Sequence, residues 1–247
     1  MSGQRDLEGM RALATVGTSG IGKAIAEELG RQGAGVIVHG RDVARGDAVV
    51  DAISTNGGKA LFVAADLSDP AELGGFVKQV GLVDILVNNA GISWFGPTAD
   101  LDVATFDRPF AANVRAPYFL VAALAPQMVA RGTGAIINVG SMAGQVGLVG
   151  LVGGAAYGAT KATPASMTRS WAAEFGSFGV RVNAIAPGPV HTSGASPDRT
   201  EALGATTLLG RAAQPGEIAE VIALLASPKA SYITGALVAA DGGRTAV

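Results

Sequence analysis

The sequence predicts an α/β fold, a doubly wound parallel sheet of about seven strands with helices on both faces. Short β-branched apolar runs alternate with longer segments whose apolar residues recur at helical spacing, which is the pattern of successive βαβ units. The chain, 247 residues long, is sufficient for one large domain, and no linker, charge block or low-complexity tract divides it, so residues 1–247 are read as a single unit. Right-handed crossovers between parallel strands then put helices on both faces of the sheet.

Strands are expected at residues 12–15, 36–39, 61–64, 85–88, 135–139, 181–186 and 237–239, each short and apolar enough to be read as buried rather than as a surface strand. Helices are expected to begin near Ile21, Asp42, Pro70, Ala104, Ala155 and Pro215. In Asp69-Pro70 and Gln214-Pro215 the proline stands at a helix start, where its missing N–H costs little. Pro109 and Pro164 instead fall inside expected helices. An interior proline removes a backbone hydrogen bond and can cost about 3 kcal/mol, so kinks or compensations are expected near Asn113 and Lys161. Leu148-Val149-Gly150 is followed at once by Leu151-Val152-Gly153, a tandem triplet too small for a structural repeat and read as a loop insertion.

Composition excludes several classes of function. Without cysteine the chain has no disulfide, zinc-thiolate site or thiol nucleophile. Net charge is −2 with lysine and arginine scattered singly, which argues against a nucleic-acid partner. No window approaches the ~20 apolar residues of a membrane span, and residues 1–10 lack the apolar core of a signal peptide, so no membrane partner and a cytoplasmic location are expected. His39 and His191 show no ligand spacing, and no metal is expected.

The first chemical motif is Gly17-Thr18-Ser19-Gly20-Ile21-Gly22, between the first strand and the helical pattern Ile21, Ile25, Ala26, Leu29. Glycine lets a backbone turn tightly and approach a pyrophosphate, and the helix N-terminus meets that charge with free N–H groups and its dipole. Such a turn directly after the first strand is where dinucleotide-binding, Rossmann-like sheets hold phosphate. Where the second strand ends, such sites normally carry an acidic residue for the adenosine ribose; here Gly40 stands there, followed by Arg41. Loss of the carboxylate removes repulsion toward a 2′-phosphate, and Arg41 can pair with it, which favours NADP(H) over NAD(H). Asp42 is the objection to this reading and is taken as the N-cap of the next helix.

The third constellation is Ser141, Tyr157 and Lys161. Tyr157 and Lys161 are four residues apart, on one helix face. A free phenol titrates near ~10, and an adjacent ammonium is expected to lower that value toward useful acid–base chemistry. Ser141, just past a strand end, can hydrogen-bond the same substrate oxygen.

With these motifs in place the chain resembles the short-chain dehydrogenase/reductase family, in the single-domain branch that includes the β-ketoacyl-carrier-protein reductases. The resemblance runs from about residue 7 to 243 and rests on the glycine turn, Asp66-Leu67, Asn88-Asn89-Ala90-Gly91, Asn113, Ser141, Tyr157 with Lys161, Pro187-Gly188 and Asp241-Gly242-Gly243, in family order. It implies an oxidoreductase passing hydride between a nicotinamide and a small-molecule ketone or secondary alcohol. Tyr157 would be the general acid/base, Lys161 would hold the nicotinamide ribose, Ser141 would steady the carbonyl, and Asn113 would anchor a water in a proton relay. It also implies cofactor contacts at Asp66 and Leu67, at Asn89, Ala90 and Gly91, and at Pro187, Gly188, Val190 and Thr192, with Asn88 structural. The alternative is a family-like protein that binds nucleotide or a partner with little turnover.

Several readings qualify that picture. Val16 stands where the family places the first glycine of its turn, so a weakened or locally disordered cofactor site is expected, unless the turn shifts to lean on Gly17. Trp94 is read as pocket lining or ordinary packing, and Trp171 as core or interface. Residues 191–210 are read as a short lid without a diagnostic charge. An acyl-carrier substrate is not favoured, because the end of the Tyr157 helix offers Ala173, Glu174 and Phe178 rather than basic residues, with Arg131 the one helpful neighbour. Segments 116–130 and 162–173, rich in small and apolar residues, together with the resemblance, lead us to expect a homotetramer.

Overall fold

The computed structural model describes residues 5–147 and 154–247; the tandem triplet at 148–153 lies outside the described residues. Among the described residues, strands β1 (Arg11–Ala14), β2 (Gly35–Gly40), β3 (Lys59–Ala64), β4 (Ile85–Asn88), β5 (Gly134–Val139), β6 (Val180–Pro187) and β7 (Leu237–Ala240) form one sheet. Its order is β3-β2-β1-β4-β5-β6-β7, and every neighbouring pair is parallel. From β1 the chain builds outward through β2 and β3, then returns to β4 on the other side of β1. The order therefore reverses between β1 and β4, and a crevice opens beyond their carboxyl ends.

Helices α1 (Gly20–Arg31), α2 (Val43–Thr55), α3 (Pro70–Val80), α4 (Val103–Phe110), α5 (Ala116–Arg131), α6 (Ala155–Phe175), α7 (Pro197–Gly204) and α8 (Pro215–Ala226) complete the fold. Alternation along β1 sorts the two layers, since successive side chains point to opposite faces. Ala12 and Ala14 face Ile25 and Leu29 of α1 and Ile218 and Ile222 of α8. Leu13 faces the layer that holds Phe76 of α3, Leu120 and Leu124 of α5, and Trp171 of α6, which settles Trp171 in the core. No described helix is long and apolar enough to cross a membrane.

Side chains named as helix starts act as caps. Asp42 accepts from the Arg45 N–H at 3.1 Å, and Asp69 from Ala71 at 2.8 Å. Gln214 and Glu217 form a reciprocal capping box on α8. Two expectations need correction. Strands β3 and β7 are the sheet edges and are not fully buried; Leu61 is 42% exposed, because an edge strand lacks a neighbour on one side. No helix was expected within residues 191–210, read as a short lid, yet they contain α7, which starts at Pro197 with Asp198 in its first turn.

The kink expected near Asn113 takes the form of a π-helical turn, Ala111–Arg115, which joins α4 to α5 directly after Pro109 without leaving helical backbone angles. Pro164, by contrast, sits buried in α6, which remains α-helical throughout. Asn88 is structural, as read: its amide donates to Asn138 on β5 at 2.9 Å, and Asn138 donates to Thr168 on α6 at 2.9 Å.

Candidate active site

The turn after β1 is tied from both sides. The Thr15 hydroxyl oxygen accepts the Asn89 and Ala90 N–H groups, at 2.9 and 3.1 Å, and the Asn89 amide donates back to the Thr15 carbonyl at 3.1 Å. Gly22, in the first turn of α1, faces the Val16 carbonyl so closely that a Cβ would lie 1.9 Å from its oxygen, so only glycine fits. Gly20 opens α1 at φ +51. Ser19 precedes it as N-cap without capping through its side chain, which leaves its hydroxyl available to a ligand at the helix N-terminus.

Val16 itself takes φ +51, while Gly17 remains at negative φ. The turn therefore has not shifted its strain onto Gly17, and Val16 holds the backbone conformation a glycine would normally supply. It is anchored there: its N–H donates to His39 Nδ1 at 3.2 Å, and the Gly17 N–H donates to the His39 carbonyl at 2.8 Å. His39 Nε2 lies 3.1 Å from the Ala65 carbonyl. One neighbour is a donor and the other an acceptor, so the imidazole is neutral and protonated on Nε2. Burial against Phe76 keeps it neutral by lowering its pKa from 6.5 to about 4.

A cavity of about 330 Å³ opens at the carboxyl ends of the strands. It brings together most of the expected residues: Ser19, Gly20, Ile21 and Gly22 of the turn; Asn89 and Gly91 after β4; Ser141, Tyr157 and Lys161; and Pro187, Gly188, Val190 and Thr192 after β6. Val139, Gly140, Ser193 and Gly194 also line it and were not anticipated. Gly140 could have been, since it directly precedes Ser141 at a strand end. Gly17, Thr18, Arg41, Asp66, Leu67, Ala90 and Asn113 stand outside its wall. The Leu67 side chain is buried in the core layer of α3, which leaves its backbone to face a ligand.

Ser141 and Tyr157 line the same cavity, with the Ser141 hydroxyl acting to lower the Tyr157 phenol. Ser141 is fixed by accepting the Ala143 N–H at 3.1 Å. Its loop presses against α6 because Gly144 and Gly158 carry no side chain; a Cβ on Gly144 would lie 2.4 Å from the Lys161 backbone. Lys161 is 7% exposed, and its ammonium donates to the Val139 carbonyl at 3.0 Å. Burial lowers its pKa from 10.5 to about 8. The expectation of a lowered Tyr157 phenol is not met: burial raises it, and the Ser141 hydroxyl opposes only in part. Lys161 is turned onto Val139 rather than onto the phenol.

Asn113 lies behind Lys161, in the π turn. Its oxygen accepts from Ile92 N–H at 2.9 Å, and its amide donates to the Ile92 carbonyl and the Thr160 hydroxyl, at 2.8 and 2.9 Å. With the amide donors engaged, what remains is its backbone carbonyl. Four residues on stands Pro117, which has no N–H, so that carbonyl is denied its usual α-helical donor.

At the mouth, Phe95 packs on Tyr157 with ring centroids 5.5 Å apart, and the Arg199 guanidinium of α7 lies 4.5 Å from the Phe95 centroid. Trp94, the aromatic residue singled out in the sequence, folds over Gly96 and does not line the cavity. The lid thus carries a charge that its composition did not advertise. Arg131 is also misplaced in the sequence reading. It pairs with Asp84 and the Val83 carbonyl just before β4, at the opposite edge of the sheet from Tyr157. The end of α6, with Ala173 and Glu174, leads into β6 at that same far edge.

The site fits a dinucleotide. A helix N-terminus free of side-chain capping, a cradle that any Cβ would fill and a cavity running on to Ser141 and Tyr157 are what a pyrophosphate and a nicotinamide ribose require. At the adenosine end Thr18 packs on Gly40, where a Cβ would lie 2.6 Å from Thr18 Cγ2. The Arg41 side chain is 74% exposed and 3.8 Å from Asp66, whose other carboxylate oxygen is held by Ser68. Asp42 is occupied as a cap and as the ion-pair partner of Arg45, which removes it as a competitor for a ribose.

Known proteins agree with this geometry. The family model described as Enoyl-(Acyl carrier protein) reductase matches residues 16–245. Cis-4-hydroxycyclohexanecarboxylate dehydrogenase from Sinomonas cyclohexanicum is 39% identical, over 96% of this chain and 96% of its own. A solved structure described as a short chain dehydrogenase/reductase family protein is 48% identical with a TM-score of 0.89, covering 98% of this chain and 100% of its own. Another, a blue fluorescent protein from a metagenomic library in complex with NADPH, is 34% identical with a TM-score of 0.88, covering 97% of this chain and 99% of its own. The chain belongs to the short-chain dehydrogenase/reductase family, oxidoreductases that act on CH–OH groups and their carbonyl counterparts and bind NAD(P).

Proposed function

We propose that this protein is an NADP(H)-dependent oxidoreductase that interconverts small ketones and secondary alcohols, with Tyr157 as general acid/base. The observation that carries the reading is that Ser141, Tyr157 and Lys161 line the same cavity into which the α1 N-terminus opens. A bound nicotinamide supplies hydride for reduction and takes it in oxidation. In reduction the Ser141 hydroxyl orients the substrate oxygen, and the Tyr157 hydroxyl donates its proton to that oxygen as negative charge develops. Lys161, its ammonium fixed by the Val139 carbonyl, holds the ribose hydroxyls. The Asn113 carbonyl, freed by Pro117, holds the water through which Tyr157 is reprotonated. Oxidation of NADPH by a panel of ketones tests the whole assignment. An acidic carrier domain is not favoured as substrate, since the basic residue once considered for docking it, Arg131, is paired at the far edge.

NADP(H) is preferred over NAD(H) because Gly40 and Arg41 replace an acidic ribose ligand by a cation. NADPH bound to the family member cited above supports this class of cofactor. Arg41→Ala should weaken NADPH binding roughly ten- to a hundredfold, the worth of a charge-assisted contact of about 1.5–3 kcal/mol, and leave NADH unaffected. Equal affinity of the parent protein for both cofactors removes the proposal.

We also propose a homotetramer. Tyr118 and Phe119 on α5 are each 49% exposed and in contact edge to face, beside exposed alanines of α5 and α6, a face that a monomer would leave to water. Light scattering is expected to give four times the chain mass; a stable, active monomer contradicts it.

A further inference from the structure

We propose that Arg199 makes this site selective for substrates that carry a carboxylate remote from the reacting carbon. The inference rests on the oxidoreductase reading of the same cavity and adds the substrate class to it. Three side chains are in successive contact, starting at the cavity wall: Tyr157, then Phe95 at 5.5 Å between centroids, then the Arg199 guanidinium 4.5 Å from the Phe95 centroid. A guanidinium over an aromatic ring is held by its face. Its N–H donors point outward in the plane of the group, where they match the two oxygens of a carboxylate.

Arg199 has no ion-pair partner and makes no side-chain hydrogen bond among the described residues. Of the two acids on α7, Glu201 faces His191 at 3.4 Å, and Asp198 forms no ion pair with Arg199. The cation is therefore positioned by Phe95 but not neutralised. The Tyr157 hydroxyl on the cavity wall, the Phe95 ring packed on Tyr157 and an exposed guanidinium held over that ring suit a molecule with a carbonyl or hydroxyl at one end, an apolar ring or chain between, and a carboxylate at the other.

The test compares 4-oxocyclohexanecarboxylate with its methyl ester, which has the ring and ketone but no charge. Binding is measured by calorimetry with saturating NADP⁺, so that no hydride is available and turnover does not enter the reading. The acid is expected to bind at least about tenfold more tightly than the ester. Arg199→Gln is expected to bring that ratio toward one, and Arg199→Lys, which keeps the charge but not the planar fork, to restore part of it. Equal binding of acid and ester by the parent, no measurable binding of either, or an Arg199→Gln effect equal for both overturns the proposal, the last because it marks Arg199 as packing alone. Turnover of the ester with NADPH is scored separately. If the ester is never reduced the proposed function fails, while the acid-to-ester binding ratio still decides the role of Arg199.

Discussion

Tyr157→Phe is expected to lower kcat for ketone reduction by about 10²–10⁴-fold while leaving NADPH affinity within about twofold. The phenyl ring keeps the contact with Phe95 and the shape of the cavity wall, so the loss isolates the Tyr157 hydroxyl. The pH dependence should differ between directions, and its sign follows from the two shifted groups. Burial raises the Tyr157 phenol, so it remains protonated, and competent as an acid, through neutral pH. Burial lowers Lys161 to about 8, so its ammonium is present below that value and lost above it. Reduction should therefore hold steady through pH 7 and fall as pH rises through about 8, whereas oxidation, which needs the phenolate, should rise only at the alkaline end of the range, where the raised phenol begins to ionise. Lys161→Arg, charged at every accessible pH, should abolish the limb near 8. Stopped-flow and steady-state rates from pH 6 to 10 provide the check, and unchanged kcat in the phenylalanine variant would falsify the assignment of Tyr157.

What the sequence disclosed followed from how local each signal is. The glycine turn, the N-caps Asp42 and Asp69, and the Tyr157–Lys161 spacing each need only a few consecutive residues, and each stands where it was expected. The π turn was foreshadowed by Pro109, because a missing N–H is a property of one residue. Side chains that meet only through the tertiary fold gave no such signal. Phe95 and Arg199 are separated in sequence by helices α4 to α6 and strands β5 and β6 of the Rossmann-like sheet, and nothing in either segment announces the contact; Trp94, one position away, was the more conspicuous aromatic residue. Leu67 matched a family position, and only the fold shows that its side chain, in the turn after β3, packs into the core. Arg131 was misjudged because closeness to a helix end was taken for closeness to the site, although α5 runs away from Tyr157 along the depth of the sheet. Apolar runs could not distinguish the edge strands β3 and β7 from central ones, since hydropathy does not record how many neighbours a strand has.

Val16→Gly is expected to stabilise the fold and to tighten NADPH binding, and the two gains have separate causes. Val16 sits at φ +51, where a β-branched residue is strained by about 1–3 kcal/mol. Glycine removes that strain but loses about 0.5–1 kcal/mol to the entropy of the unfolded chain, which leaves a net gain of up to about 2 kcal/mol in urea unfolding. Because that strain is already present in the free protein, its relief alone does not change cofactor affinity. Affinity responds instead to the isopropyl group on the cavity wall beside Ser19 and Gly20. Overpacking of about 1–3 kcal/mol corresponds to roughly 5- to 150-fold in Kd. His39 provides the internal control. His39→Gln can keep a donor toward the Ala65 carbonyl but loses the acceptor that holds the Val16 N–H, so it should loosen NADPH in the parent. In the Val16→Gly background the turn can relax, and the same change should cost less. Neither substitution touches Tyr157, so the pH profile of reduction should not move. Titration of NADPH against the four proteins decides the matter: equal or poorer affinity in Val16→Gly, with no gain in stability, would mean that His39 and the surrounding backbone have fully accommodated valine at this turn.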